Sequence, residues 1–393
     1  MYVIDGNELT ALRREFHKYP ELGGCEYKTM DKICSYLDLW GVEYKKGVAE
    51  TGVVAIIRGK NKLKDDYKCI GIRADIDALP IKEETDVCFK SVNEGVMHAC
   101  GHDAHTAVAL GAVKIIKSME SKLKGDVKFF FQPAEETTGG AERMIDAGCL
   151  KNPEVEYVFG LHVDPGLETG KAGIKYGKMM ASSDEIFINV FGKSTHGAHP
   201  EKGIDPVVIT SNIVVALQSL VSRSTSPLNS VVLTIGSIHG GTAQNIISDS
   251  VEMKGILRTL DEETRGDMKK RIAAVVENIS KAMGGEGTLA IRESYGALIN
   301  NDDAVDKLKE AAEKVLGSEN VEILEYPNMG TEDFSYFSRH SKACFFNLGC
   351  RNENIGAVYP IHSSKFMLDE GCLETGVKIQ VENILGILNM SLD

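Results

Sequence analysis

Between Met97 and His105 the chain places one thiol, Cys100, among three imidazoles, His98, His102 and His105, and then runs into an apolar helical segment. Thiolate and neutral imidazole are the donors that transition metals prefer, and Gly101 lets the backbone turn Cys100 and His102 toward one point. No paired Cys-x-x-Cys elsewhere completes a closed structural cage. The remaining ligands must come from distant parts of the chain, as in catalytic sites that keep an open position. Glu135 and Glu136 are adjacent, so their side chains leave the backbone in different directions and suit different roles, one binding metal and the other moving protons. His162 ends the apolar run Val158-Phe159-Gly160-Leu161, and His362 sits in Tyr359-Pro360-Ile361-His362-Ser363-Ser364. Taken singly, each has a blander reading: a solvated acidic turn for the glutamates, a hydrogen-bonded core residue for the histidines. Their case rests on the set.

Five donors, Cys100, His102, Glu136, His162 and His362, exceed what one four-coordinate ion with an open position needs, yet fall short of two separate complete shells. A shared two-metal site resolves the count, because a bridging protein ligand and a bridging water supply the missing bonds; such ions sit roughly 3.5–4 Å apart. The chemistry of that arrangement is hydrolytic. Two divalent charges lower the pKa of water toward neutrality, and a carboxylate beside them can take its proton and pass it to a leaving nitrogen. Glu135 is the candidate for that carboxylate.

The elements that must position these groups alternate. Leu9, Leu12 and Phe16 have helical spacing that stops at Tyr19-Pro20. Strand-like runs follow at 52–57, 69–74, 127–131 and 157–161, with helical stretches at 27–39, 104–119 and 140–147. Alternation of near-continuous apolar strands with helices predicts a buried, mainly parallel sheet in an α/β fold. Asp75-Ile76-Asp77, Gln132-Pro133-Ala134-Glu135-Glu136 and His162 each begin just past the end of such a strand, the edge where open α/β sheets build sites. From Ser182 the order changes to strand, helix, two strands, helix, strand, which predicts an inserted ferredoxin-like α+β domain over 182–294. Asp205 before Pro206 and Asp261 before Glu262 are good helix starts. Residues 1–181 and 295–393 then form the two parts of the catalytic domain.

At 393 residues and 43% apolar content the chain exceeds the about 250–300 residues that one core usually holds, so two domains are expected. A net charge of −13 makes phosphate backbones and anionic membranes poor partners, so nucleic acid is disfavoured. The N-terminus lacks the pattern of a signal peptide, and no segment is read as the uncharged, continuously apolar run of about 18 residues that a membrane span needs, which predicts a cytoplasmic protein. Nine cysteines, odd in number and without a compact framework, suit free thiols in a reducing compartment. Eight of them are read as packing residues.

The ordered motifs Arg14-Glu15-Phe16-His17, Pro20-Glu21-Leu22, Arg73-Ala74-Asp75-Ile76-Asp77-Ala78-Leu79-Pro80, His98 to His105, Gln132 to Glu136, Gly160-Leu161-His162, Ser194 to Pro200, Gly330-Thr331-Glu332-Asp333-Phe334 and His362 span essentially the whole chain. In them the sequence resembles the M20 metallopeptidases, and within these the amidohydrolase branch of aminoacylases, hippurate hydrolases and N-acetyl-diaminopimelate deacetylases. The resemblance implies a zinc-peptidase-like catalytic domain and a lid that often forms homodimers or homotetramers. It implies two divalent ions on Cys100, His102, Glu136, His162 and His362, with Glu135 as general base. Asp75 resembles the acid that orients a metal-bound imidazole, with a strand-end turn carboxylate as the plain alternative; Asp77 is the weaker candidate. His196 resembles the lid histidine that reaches the substrate carbonyl. Asn245 and Arg258 resemble groups that hold an α-carboxylate, although an ordinary surface ion pair is an equal reading of Arg258. Arg73 and Cys100 mark the branch, since other relatives place a ligand histidine at the position of Arg73. The thiolate favours zinc, nickel or cobalt, and manganese is also common in the family. The expected reaction is amide cleavage of an N-acyl L-amino acid. The alternatives are a dipeptidase or carboxypeptidase of the same family, and a metal-dependent binding protein without hydrolysis.

Overall fold

A computed structural model describes residues 5–62 and 67–391. The chain divides into two compact units, one of 1–177, 299–326 and 333–393 and the other of 178–298 and 327–332.

The first unit is built on an eight-stranded sheet. From edge to edge its strands are Glu43–Val48, Gly52–Arg58, Asp126–Gln132, Cys69–Asp75, Tyr157–Glu168, Lys342–Arg351, Ala172–Ile174 and Val321–Ile323. The four central strands pair in parallel, as their continuous apolar character predicts. Phe129, Phe130 and Phe131 are all fully buried, so this strand packs on both faces. Burying each such side chain contributes about 1.5–3 kcal/mol. The register aligns the chemistry: Asp75 lies opposite Gln132, Arg73 opposite Gly160, and His162 opposite Asn347. The carboxyl ends of the parallel strands therefore carry Asp75, Gln132 and His162 at one edge.

Helix Gly6–Lys18 starts at Asp5, whose carboxylate accepts from Asn7 and Glu8 N–H. Helix His102–Ser118 is buried on almost every side, between the sheet and the helices Gly6–Lys18 and Gly371–Ile387. That burial explains its apolar composition all round. The edge strand Glu43–Val48 and the three-residue strands carry no period in sequence and were not expected.

The second unit contains the predicted strand, helix, two strands, helix, strand order. Its sheet runs Val231–Gly240, Ser250–Thr259, Asp184–Phe191, Glu286–Glu293, all antiparallel, with Ser250–Thr259 and Asp184–Phe191 in the centre. Helices Pro206–Ser219 and Glu262–Ala282 contribute Ile209, Ile213, Leu217, Met268, Ile272 and Val276 to its core. Both predicted caps form, with Asp205 accepting from Val207 and Val208 N–H and Asp261 from Thr264 N–H.

The structure adds three differences. The compact unit takes in 327–332, because Asn328 exchanges backbone hydrogen bonds with Met179 and Ala181, a long-range pairing without a sequence signature. The expected helix at Pro206 runs to Ser224, 19 residues, and is long and apolar enough by composition to cross a membrane, which the sequence reading did not credit to any segment. One face of it fills the second unit's core while Ser211, Asn212 and Ser219 lie on its exposed side. Finally, all nine cysteines are free, but Cys25 and Cys88 are exposed, so packing accounts for fewer than expected.

Candidate metal centre

The donors converge because of local backbone geometry. Gly101 has φ +87, and a Cβ there would stand 2.3 Å from Val163 Cγ2, so both the left-handed turn and the close approach require glycine. Cys100 is thereby presented just before the helix, and His102 and His105, one turn apart, share its inner face. Cys100 Sγ lies 3.2 Å from His162 Nε2 and 3.3 Å from His362 Nε2. His362 Nε2 is also 3.3 Å from Glu136 Oε1. His362 has φ +65 and its N–H donates to the carbonyl of Ala99, which ties this strained loop to the residue preceding Cys100. The potential ligand atoms form close groups: Cys100, His102 and His162; Cys100, Glu136 and His362; and His102, Glu135 and Glu136, each within 4.8 Å. Cys100 is common to the first two, His102 to the first and third, and Glu136 to the second and third, so the groups overlap in one cluster.

The imidazoles are oriented by a chain of buried partners. His162 Nδ1 donates to the carbonyl of Val163 at 2.8 Å, leaving Nε2 with a lone pair toward Cys100. Val163 N–H donates to His105 Nε2 at 3.0 Å, so His105 carries its proton on Nδ1 and donates it to Asp75 at 2.6 Å. Asp75 also accepts from Arg73 at 2.7 Å, and Arg73 pairs with Asp333 at 2.8 Å. Asp75 also stands 3.6 Å from His102 Nε2, but its imidazole hydrogen bond is with His105. It steers His105, while His102 Nδ1 donates to Asp77 at 3.2 Å, and Asp77 also accepts from Glu136 N–H at 3.0 Å. Asp77 joins the two halves of the site. The loop bearing the glutamates is gripped elsewhere by Asp333, which accepts from Gln132 Nε2 and from Gly140 and Ala141 N–H. Ala134, immediately before Glu135, has φ +57, a conformation that costs a residue with a Cβ roughly 1–2 kcal/mol.

The electrostatics favour a cation. Burial would lower His102, but Asp75, Asp77 and Glu136 push it up to about 10. Burial and then Glu136, Glu135 and Asp75 push the Cys100 thiol well above its ordinary range. Burial would raise Asp75, yet His102, His105 and Arg73 hold it well below the usual carboxylate range. Burial and the neighbouring His105 pull His162 down to about 3, so it is neutral, as a ligand must be. Among the described residues, His102 Nε2 and Glu136 Oε1 are buried without a hydrogen-bond partner, and they face each other at 3.9 Å. Orphaned donor and acceptor atoms in a thiol, imidazole and carboxylate set fit divalent cations, which would replace the protons of His102 and Cys100.

His196, Asn245 and Arg258 belong to the second unit. Thr195–His196 pairs with Ile246–Ile247, and Gly197 N–H donates to the Asn245 carbonyl at 2.7 Å, so His196 and Asn245 are neighbours. His196 is exposed, with Nδ1 accepting from Ala198 N–H at 3.0 Å. Arg258 is half-buried, and among the described residues its Nη1 is buried with no hydrogen-bond partner. Asp77 and His105 are the residues that sequence reasoning undervalued. The Asp-x-Asp spacing was the available signal for the first, and the three-residue spacing from His102 for the second.

A two-unit α/β chain that gathers a cysteine, three histidines and two glutamates beside the edge of its central sheet has the make-up of a metal-dependent hydrolase of amide bonds. The comparisons agree with that class. The profile of peptidase family M20/M25/M40 matches residues 71–385, and the chain belongs to this family. It is 38% identical over 366 residues to the hippurate hydrolase of Campylobacter jejuni, covering 93% of each chain. To thermostable carboxypeptidase 1 of Saccharolobus solfataricus it is 39% identical over 372 residues, covering 94% of this chain and 92% of the other. Among solved structures it resembles the Bacillus subtilis protein YXEP, a dinuclear metal-binding peptidase of family M20. The TM-score is 0.83 at 31% identity, covering 98% of this chain and 99% of that one.

Proposed function

We propose that this protein cleaves the amide bond of an N-acyl or N-acetyl L-amino acid, releasing a carboxylate and a free amino acid. Cys100, His102, Glu136, His162 and His362 hold two divalent ions, with zinc, nickel, cobalt and manganese as candidates. When bound, these ions supply Lewis acidity to the carbonyl and lower the pKa of water. Glu135 takes the proton from the attacking water and delivers it to the leaving nitrogen as the C–N bond breaks. Asp75 and Asp77 hold the imidazoles through His105 and His102. Arg258 and Asn245 take the α-carboxylate, for which the unpartnered Nη1 of Arg258 is suited, and His196 donates to the developing oxyanion. The second unit acts as lid and as the contact between copies in a homodimer or homotetramer, and nine free thiols suit a cytoplasmic protein.

The observation that carries this reading is the position of Glu135 within 4.8 Å of both His102 and Glu136, beside the five-donor cluster. The similarity to a hippurate hydrolase supports an acyl amino acid as substrate. The similarity to a carboxypeptidase favours peptide cleavage as the second reading. A panel of acetyl, benzoyl, long-chain acyl and diaminopimelate conjugates beside dipeptides, run with and without chelator, separates them. Turnover of acyl amino acids is expected to exceed that of dipeptides and to stop on chelation. Preference for dipeptides would select the carboxypeptidase reading.

A further inference from the structure

We infer that Glu26, far outside the metal centre in sequence, is a positioning residue that sets the direction of Glu135 by clamping the peptide before it. The inference rests on the reading of Glu135 as the proton carrier. Glu26 occupies the N-cap of helix Tyr27–Leu39 but makes no side-chain cap bond there. Its carboxylate is instead turned into the protein, 0% exposed, where Oε1 accepts from Ala134 N–H at 2.8 Å and Oε2 from the Thr51 hydroxyl at 2.6 Å. Burying a carboxylate and forgoing a cap both cost stability, so the arrangement calls for a return elsewhere.

The return is found at Ala134. Its left-handed backbone, φ +57, is disfavoured for alanine and persists only where its surroundings hold it. Glu26 supplies the acceptor for Ala134 N–H, and the Ala134 carbonyl accepts from Gly139 N–H at 2.9 Å, so both sides of this residue are tied. Gly23, three residues before Glu26, packs so closely on the same loop that a Cβ would stand 2.5 Å from Thr137 Oγ1 and 3.1 Å from Ala134 Cα. The Gly23–Glu26 segment is thus seated against the turn that aims Glu135, while Glu136 keeps a separate tie through its N–H, which donates to Asp77 at 3.0 Å. Release of the clamp would let Ala134 relax toward negative φ and rotate the Glu135 side chain, while the donors outside this loop keep their own supports.

The test uses the metal-loaded full chain. Glu26→Leu removes both acceptors while keeping the volume filled. It is expected to lower kcat about 10- to 100-fold, the penalty of a roughly 1 Å misplacement, with KM and metal stoichiometry unchanged. Glu26→Gln, which still accepts from Ala134 N–H, should recover most of that loss. Ala134→Gly added to Glu26→Leu should recover part of it, because glycine adopts positive φ without penalty. Wild-type kcat in Glu26→Leu would overturn the inference, as would a loss that follows metal content or melting temperature, or one that neither second change repairs. Should Glu26→Leu fail to fold, Glu26→Ala with Ala134→Gly is compared with Glu26→Ala alone, and equal kcat in the two overturns it. Glu135→Gln is measured in parallel. Full activity there would refute the underlying reading, whereas an inactive Glu135→Gln beside a wild-type Glu26→Leu would refute the clamp alone.

Discussion

Asp77 gives the sharpest test of how this centre is assembled, because one buried carboxylate serves both halves of it. Its Oδ1 accepts from His102 Nδ1 at 3.2 Å and its Oδ2 from Glu136 N–H at 3.0 Å. Asp77→Ala leaves the imidazole free to rotate and the Glu136 amide without its acceptor. Loss of a partner that orients a ligand typically costs 10- to 100-fold in metal affinity, equivalent to about 1.4–2.7 kcal/mol. Because Asp77 steers a ligand from each of two donor groups, the upper end is expected for the weaker ion. Asp77→Asn should be intermediate: the amide oxygen can serve His102 or Glu136, but the amide nitrogen then faces the other donor. Titration of the metal-free protein with manganese and with zinc, followed calorimetrically, reads both affinities, and melting temperature shows whether the fold survives. Wild-type affinity in Asp77→Ala would refute the claim that this carboxylate orients the ligands. The same variant binding metal normally but losing turnover would move Asp77 from assembly to proton handling.

Metal affinity should fall as pH falls. His102 is raised to about 10 and Cys100 well above its ordinary range, so both are protonated near neutrality and binding must expel their protons. Each expelled proton costs tenfold in apparent affinity per unit of falling pH, about 1.4 kcal/mol, and chelator competition between pH 6 and 9 reads the slope. A flat profile would contradict this electrostatic picture. Gly101→Ala should lower both metal content and melting temperature, by the left-handed backbone and the 2.3 Å approach to Val163; metal analysis beside thermal unfolding checks it. Arg258→Met should raise KM for an acyl amino acid while barely affecting the corresponding acyl amino amide, which lacks the carboxylate; equal effects on both would exclude carboxylate binding.

Much of this was legible in the sequence because donor chemistry is tied to residue type. A thiol and imidazoles around a glycine, a Glu-Glu pair and histidines after apolar strands named the cluster without any distance. The strand ends followed from apolar runs, so Asp75, Gln132 and His162 were placed on one sheet edge before the register was known. The division of labour between Asp75 and Asp77 was not legible. Two carboxylates two residues apart are chemically alike, and which one meets His102 depends on where the chain turns after the strand Cys69–Asp75. The contribution of 327–332 to the second unit, the short strands and the inward turn of Glu26 share that origin: each depends on a long-range backbone contact that leaves no periodic trace.

Arg73 illustrates how a fixed charge beside the site is put to structural use. A histidine ligand at this position would bring a neutral donor, whereas Arg73 brings a fixed positive charge that no metal can share. The structure directs that charge away from the donors, into Asp75 at 2.7 Å, Asp333 at 2.8 Å and Gln132 at 2.9 Å, all fully buried. Asp75 then orders His105 and, through Val163, His162, while Asp333 fixes Gln132 and the amides of Gly140 and Ala141 beyond the glutamates. One guanidinium thus couples the strand ends that carry the histidines to the loop that carries the glutamates. With the arginine occupied in this way, the soft donor of the cluster is Cys100, whose sulfur stands with His102 and His162 on one side and with Glu136 and His362 on the other.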